Sequence, residues 1–238
     1  RERRRKFILL SHSMDLLQLF GIWVSCMQIS LLALPLSLVN QWRLRGSSHG
    51  FSVIQLLIPI PIQICWLRYG YLTVDMLMIT TNVILLATSI AYLFIFIYYL
   101  PDKSTIVKEV SIMCAVIILL MIYVSIHPHN EQANIMGKIA PLVQNTRIMG
   151  AAHQLKDIID KKTTEFLPYQ MPFVMCAFIS QNALYSFLAE KSPVVWASIP
   201  GLFFNFTFLI MYIVYPPKTW RVPIIGTGKK ITAGEKKE

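Results

Sequence analysis

The sequence predicts an all-α membrane protein with seven transmembrane helices, laid out as two parallel three-helix repeats joined by a linker helix (3+1+3). Three observations carry that expectation. Apolar residues come in runs long enough to span a bilayer, Lys and Arg gather in the segments between the runs, and the chain resembles itself at a spacing of 115–116 residues. Composition sets the solvent: 55% of the 238 residues are hydrophobic and 14% charged, against about 25% charged in a soluble domain. The mean hydropathy of +0.55 agrees. The formal charge of +10 sits in short clusters that flank apolar runs, the membrane pattern rather than that of a nucleic-acid binder.

A helix needs about 20 mostly apolar residues to cross the hydrocarbon core. Six runs meet this: 16–39, 51–71, 76–100, 107–126, 166–188 and 194–215. A seventh, 134–155, is weaker because it holds Lys138, Gln144, Arg147 and His153. It is counted because the repeat requires a helix there; a re-entrant or interfacial segment is its alternative. The expected organisation is then an N-terminal tail over 1–15, a first repeat over 16–100, a linker helix over 107–126, a second repeat over 134–215 and a basic tail over 216–238.

Arg43, Arg45, Lys103, Lys108, Lys156, Lys161, Lys162 and the tail from Lys218 to Lys237 fall on one side, against Lys191 and Lys138 on the other. The positive-inside rule places the first group and the C-terminus in the cytosol, with the N-terminus outside or lumenal. The basic stretch 1–6 opposes this, and Met14 offers an alternative start; no cleavable signal peptide is expected. Cys26, Cys65, Cys114 and Cys176 each lie in a separate run without metal or disulfide spacing, and read as small buried hydrophobes.

The repeat pairs Gly46-Ser47-Ser48-His49-Gly50-Phe51 with Lys161-Lys162-Thr163-Thr164-Glu165-Phe166, Tyr69-Gly70 with Tyr185-Ser186, and Tyr99-Leu100-Pro101-Asp102-Lys103 with Tyr215-Pro216-Pro217-Lys218. Two units that start on the same side imply a pseudo-two-fold axis along the membrane normal, with a solute site near mid-membrane.

A basic loop followed by Ser/Thr-x-x-Phe, then Trp-x-x-Tyr-Gly, then Asn in the third helix resembles the SWEET sugar transporters, nearest the animal-type members through Cys65-Trp66-Leu67-Arg68-Tyr69-Gly70 and Ser198-Ile199-Pro200-Gly201. The resemblance covers roughly 16–218 and implies facilitative sugar transport by alternating access. It implies hinges at Pro35 and Pro168, with Gln55 and Ala151 standing at the other two hinge positions; Pro59 and Pro61 follow Gln55 by a turn, and Gly150 precedes Ala151. It implies sugar contacts at Asn82 and Trp66, with Ser198 and Asn182 at their counterparts in the second repeat, where the family has asparagine and tryptophan. Asn offers donor and acceptor, Ser a hydroxyl on a shorter stem. The implied partners are a small-molecule sugar and the surrounding lipid, with no cofactor, no metal and no nucleic acid; homo-oligomers are compatible with the pattern. The implied location is the plasma membrane or Golgi and endomembranes.

Arg147 lies within the weak span and either lines a wet cavity, pairs with Asp75 or Glu190, or reaches the interface. The apolar runs are read as offering no Asp or Glu to a proton or sodium relay, which favours uncoupled transport. His127-Pro128-His129 reads as a solvated loop, and the sequon at Asn205 lies inside a span. Competing readings are a carrier of another solute such as an amino acid, a transport-inactive relative acting through binding, and a seven-helix receptor. The receptor lacks its Asp-Arg-Tyr and Asn-Pro-x-x-Tyr motifs, and Pro-Gln, expected of a PQ-loop carrier, is absent. No triad, metal cluster or carboxylate pair supports an enzyme.

Overall fold

The structure is a computed structural model and describes residues 2–33, 35–48, 53–101, 103–165, 167, 170–218, 222 and 225–228. Among the described residues there are seven helical segments. The first comprises α1 (Glu2–Ser30), a 3-10 turn (Leu31–Ala33) and α2 (Leu36–Arg45). The second is α3 (Ile54–Leu57) followed by α4 (Pro59–Leu72), the third α5 (Met76–Tyr98) and the fourth α6 (Ser104–Ser125). The fifth joins α7 (His129–Gln144) through a 3-10 turn (Asn145–Arg147) to α8 (Ile148–Lys161), and α9 (Gln170–Leu188) and α10 (Ser192–Val214) are the sixth and seventh.

Five of the described helical stretches are long and apolar enough to cross a membrane: Asp15–Arg45, Met76–Tyr98, Ile106–Ser125, Gln170–Leu188 and Ser192–Val214. Their outward faces are apolar. Helix α6 exposes Ile112, Ile118, Leu119 and Ile122, and α10 exposes Phe203, Phe206, Ile210 and Ile213. Such stripes suit hydrocarbon and would be a liability in water. Cys26 and Cys114 are exposed on these outward faces rather than buried as expected; a thiol, being a small hydrophobe, is at home against lipid as well as in a core.

Helix breaks follow the prolines. The first segment breaks at Leu31–Ala33, just ahead of Pro35, and the second between Leu57 and Pro59. A proline removes an i to i−4 hydrogen bond and disfavours helical geometry in the residue before it. The fifth segment departs from the single continuous span expected over 134–155. Pro141 lies inside α7, and the helix tightens into a 3-10 turn at Asn145–Arg147. The polar run there gives the backbone local hydrogen-bonding alternatives, which weakens the helix at that point.

The chain divides into two compact units, Arg1–Gln144 and Asn145–Glu238. In the first, α4 packs on α5 and α7, α1 on α5, and α6 on α7. Its core gathers Trp42, Leu57, Ile60, Leu93, Phe96 and Ile106, with Trp42 and Phe96 edge to face at 5.3 Å. In the second, α10 packs on α9 and α8, around Ile158, Leu167, Phe208, Tyr212 and Val222. Positions 42 and 96 of the first core reappear 116 residues on as Ile158 and Tyr212 of the second.

Backbone bonding repeats at the same spacing. The amide of Ser48 donates to the carbonyl of Tyr99 at 3.0 Å, and that of Thr164 to Tyr215 at 3.0 Å. The amide of Asp75 donates to Gly70 at 2.9 Å, and that of Lys191 to Ser186 at 2.8 Å. Even the residues of positive φ coincide: Val74 and Glu190 have φ of 54° and 56°, and Gly46 and Lys162 have 64° and 49°. A valine at positive φ costs about 1–2 kcal/mol, so its recurrence marks a turn fixed by the two helices it joins. Asp75 supports that turn by accepting from the Met78 amide at 3.1 Å, an N-cap on α5.

Candidate functional site

Helices α4 and α5 run antiparallel across a tight turn and hold the expected contacts of the first repeat. Asn82 is 7% exposed, and its side-chain N–H donates to the carbonyl of Met78 at 2.9 Å, one turn back in the same helix. That bond is local. It leaves the rest of the amide without a recorded protein partner, and it ties no second helix to α5. Trp66 is 6% exposed on α4, and its indole N–H donates to Gln144 Oε1 at 2.6 Å, which anchors the ring to α7. Tyr69 stands edge-on to the indole at 5.8 Å. Trp66 and Asn82 thus lie buried on neighbouring packed helices, with no hydrogen bond recorded between them.

The counterparts in the second unit are chemically weaker. Ser198, 3% exposed on α10, donates its hydroxyl to the Val194 carbonyl at 2.8 Å. This is the Asn82 bond moved on by 116 residues, but it engages the only donor a serine has. Ser198 therefore offers a ligand an acceptor alone. Asn182 is half-buried on α9. The four expected contacts are placed two in each unit.

Of the four hinge positions, Pro35 lies two residues beyond the 3-10 turn that breaks the first segment. Gln55 is exposed within α3, one turn before the break at Pro59. Ala151 lies in α8, a turn beyond the 3-10 break at Asn145–Arg147. Pro168 lies outside the described residues.

Several polar groups escaped the sequence reading. Glu109 is the plainest correction: it lies in the second turn of α6, inside an apolar run taken to lack carboxylates, and its Oε2 is buried without a recorded hydrogen bond. Its position as the third residue of the run 107–126 was the available signal. Arg147 is exposed at the 3-10 break and makes none of the ion pairs recorded among the described residues of its own unit, Glu190 included. Arg68 donates to Gln132 Oε1 at 3.1 Å, a second polar tie between α4 and α7. Gln63, 6% exposed on α4, donates to Ser89 Oγ on α5 at 3.1 Å, while its Oε1 is buried with no partner. Glutamines at 63, 132 and 144 are unremarkable in sequence because nothing there says which helix each one faces. Among the described residues there is no cluster of three or more His, Cys, Asp or Glu side chains placed to hold a metal.

A family model described as a sugar efflux transporter for intercellular exchange matches residues 18–104 and 148–220. The sugar transporter SWEET1 of Rattus norvegicus is 21% identical over 155 residues, 64% of this chain and 70% of the relative. SWEET1 of Drosophila pseudoobscura pseudoobscura is 24% identical over 160 residues, 65% of this chain and 70% of the relative. The solved structure of a eukaryotic SWEET transporter superposes with a TM-score of 0.74 at 17% identity, over 84% of this chain and 96% of that one. At that identity the superposition speaks for the fold.

Proposed function

This chain belongs to the SWEET family of sugar transporters, and we propose that it carries a sugar down its gradient across a membrane by alternating access. The observation that carries this reading is Asn82, an amide buried in an apolar helix whose one recorded side-chain bond is to the Met78 carbonyl of the same helix. A polar side chain in hydrocarbon must find partners, and here most of its capacity is left to a solute. We assign the sugar contacts to Asn82 and Trp66, and in the second repeat to Asn182 and Ser198. A sugar asks for several hydroxyl partners and a flat apolar face, and amide, hydroxyl and indole supply them.

Uncoupled movement is the expected mode. A carrier driven by protons or sodium places titratable groups in sequence through the membrane. Here Glu109 stands near one end of α6, and His153 lies on the exposed face of α8, 3.7 Å from Asp157. In proteoliposomes, sugar flux is expected to follow the sugar gradient alone and to be indifferent to imposed pH or sodium gradients. Accumulation against the sugar gradient, driven by either ion, would sink this mechanism.

The same reading sets the topology. Arg43 and Arg45 end α2, Lys161 ends α8, and Lys218 follows α10, so the basic flanks recur at the same end of each repeat. Under the positive-inside rule these ends and the C-terminus are cytosolic, and the N-terminus is outside or lumenal. Epitope tags at both termini, probed in intact and permeabilised cells, check this. Staining of a C-terminal tag without permeabilisation reverses the assignment.

A further inference from the structure

The pair Gln63 and Ser89 lies outside the contacts assigned above. Its side chains are 6% and 7% exposed, and they join α4 to α5 through one hydrogen bond, Gln63 Nε2 to Ser89 Oγ at 3.1 Å. Gln63 Oε1 is buried with no partner. Ser89 accepts in that bond, so its own O–H proton is still available. The pair therefore presents one vacant acceptor beside one available donor. A buried carbonyl oxygen without a partner costs about 1–3 kcal/mol, so its presence asks for a reason.

The second repeat shows that packing does not demand an amide at the Gln63 position itself. In the second repeat, 116 residues on, the position of Gln63 is Ile179, whose Cδ1 lies 3.2 Å from where a Cβ on Gly201 of α10 would stand. Gly201 is the counterpart of Leu85, so helices α9 and α10 pack here with a hydrocarbon side chain at the Gln63 position. The counterpart of Ser89 is Asn205, whose side-chain N–H donates to the Gly201 carbonyl at 2.8 Å in its own helix. The second repeat therefore needs no amide at the Gln63 position and keeps its own amide, Asn205, bonded within α10, whereas the first repeat places its amide on α4 and leaves Oε1 unbonded.

Placement then gives the use. Gln63 precedes Trp66 by three residues, so the two share a face of α4. Ser89 follows Asn82 by seven, two turns along the same face of α5. We propose that Gln63 and Ser89 form a second hydroxyl-binding subsite of the first repeat, in which Gln63 Oε1 accepts from a sugar hydroxyl and the Ser89 hydroxyl donates to the same oxygen or its neighbour. This rests on the sugar-transport reading, and it makes the first repeat the one that distinguishes sugars by the presence of a particular hydroxyl.

The experiment uses the full chain in proteoliposomes. A panel of labelled glucose, galactose, fructose and sucrose identifies the sugar carried fastest, and its monodeoxy analogues are then compared in wild type, Gln63→Ile, Ser89→Ala and Asn82→Ala. Gln63→Ile introduces the residue the second repeat already uses, so the fold is expected to tolerate it. Wild type should carry one analogue about tenfold less well than the parent sugar, since a site built for a hydroxyl rejects the molecule lacking it. In Gln63→Ile that difference should shrink to within about twofold while the other analogues keep their ranking, and Ser89→Ala should reduce it in part. Unchanged discrimination in both variants, with lower thermal stability in Gln63→Ile, overturns the subsite and leaves Oε1 to a buried water. If Asn82→Ala abolishes flux while Gln63→Ile discriminates as wild type does, the subsite alone falls. Absence of flux for every sugar in the folded wild type overturns the transport reading, and the subsite with it.

Discussion

Asn82→Ala is expected to lower sugar flux per surface molecule roughly a hundredfold, the upper end of the ~1–3 kcal/mol lost when a buried polar contact is removed. Surface abundance should stay within about twofold of wild type. The second half of the prediction is the sharper one, and it comes from the geometry. The recorded protein bond of Asn82 runs to Met78 in its own helix, so alanine removes no tie between helices. Alanine is also the better helix former, by about 0.5 kcal/mol. An asparagine that served as glue between packed helices would behave the other way round: the variant would fold poorly, and whatever reached the membrane would transport normally. Flux and surface protein measured on the same cells separate these outcomes, and unchanged flux per molecule places the sugar contacts elsewhere. Ser198→Asn gives the complementary measurement. Its hydroxyl proton is held by Val194, so an asparagine there could keep a local bond and still offer an acceptor and a second N–H. Flux is expected to hold or rise.

What could be read from the sequence divides along a physical line. Long apolar runs and the positions of Lys and Arg are properties of composition along the chain, and they located six of the seven helical segments to within a few residues at most ends, the repeat supplying the other. The pairings of Tyr69 with Tyr185 and Tyr99 with Tyr215 could also be read directly, because turn residues that fix a repeat keep their spacing; the coincident positive φ of Val74 and Glu190 is the structural form of the same fact. The break at Asn145–Arg147 was less legible. A proline and a polar run inside a weak span give a kink and an interruption equal claim, and hydropathy averaged over the span conceals both.

The partners of single side chains could not be read at all. That Trp66 bonds Gln144 across 78 positions, or that Gln63 meets Ser89 across 26, depends on which helices are neighbours and how each is turned about its axis. Glu109 was missed for a different reason. One carboxylate among more than a dozen apolar neighbours is diluted in any window long enough to define a span. Its buried Oε2 becomes visible only when atoms are considered one at a time.

Gly70→Leu is expected to cost most of the folded protein, whereas Gly70→Ser should be nearly silent. The glycine sits at the closing end of the α4–α5 pair, where its carbonyl accepts the Asp75 amide at 2.9 Å. A Cβ placed there would stand 3.2 Å from Met78 Cγ, 3.3 Å from Ile79 Cγ1 and 3.4 Å from the Ile79 amide nitrogen. The methionine side chain can move aside and the backbone nitrogen cannot, so the one carbon and hydroxyl of serine are tolerated and the branched four-carbon chain of leucine is not. The second repeat supplies the measure of tolerance: its residue here is Ser186, 1% exposed, within an equivalent turn in which the Lys191 amide bonds its carbonyl at 2.8 Å. Overpacking typically costs about 1–3 kcal/mol where the surroundings can relax, and a turn that already holds Val74 at positive φ has little room to do so. Monodisperse protein recovered in detergent should therefore fall at least about fivefold for the leucine variant and stay within about twofold of wild type for the serine variant. Equal recovery of both would mean that α4 and α5 stand further apart at this turn than the Gly70 contacts imply, and the face carrying Trp66, Asn82, Gln63 and Ser89 would then have to be placed anew.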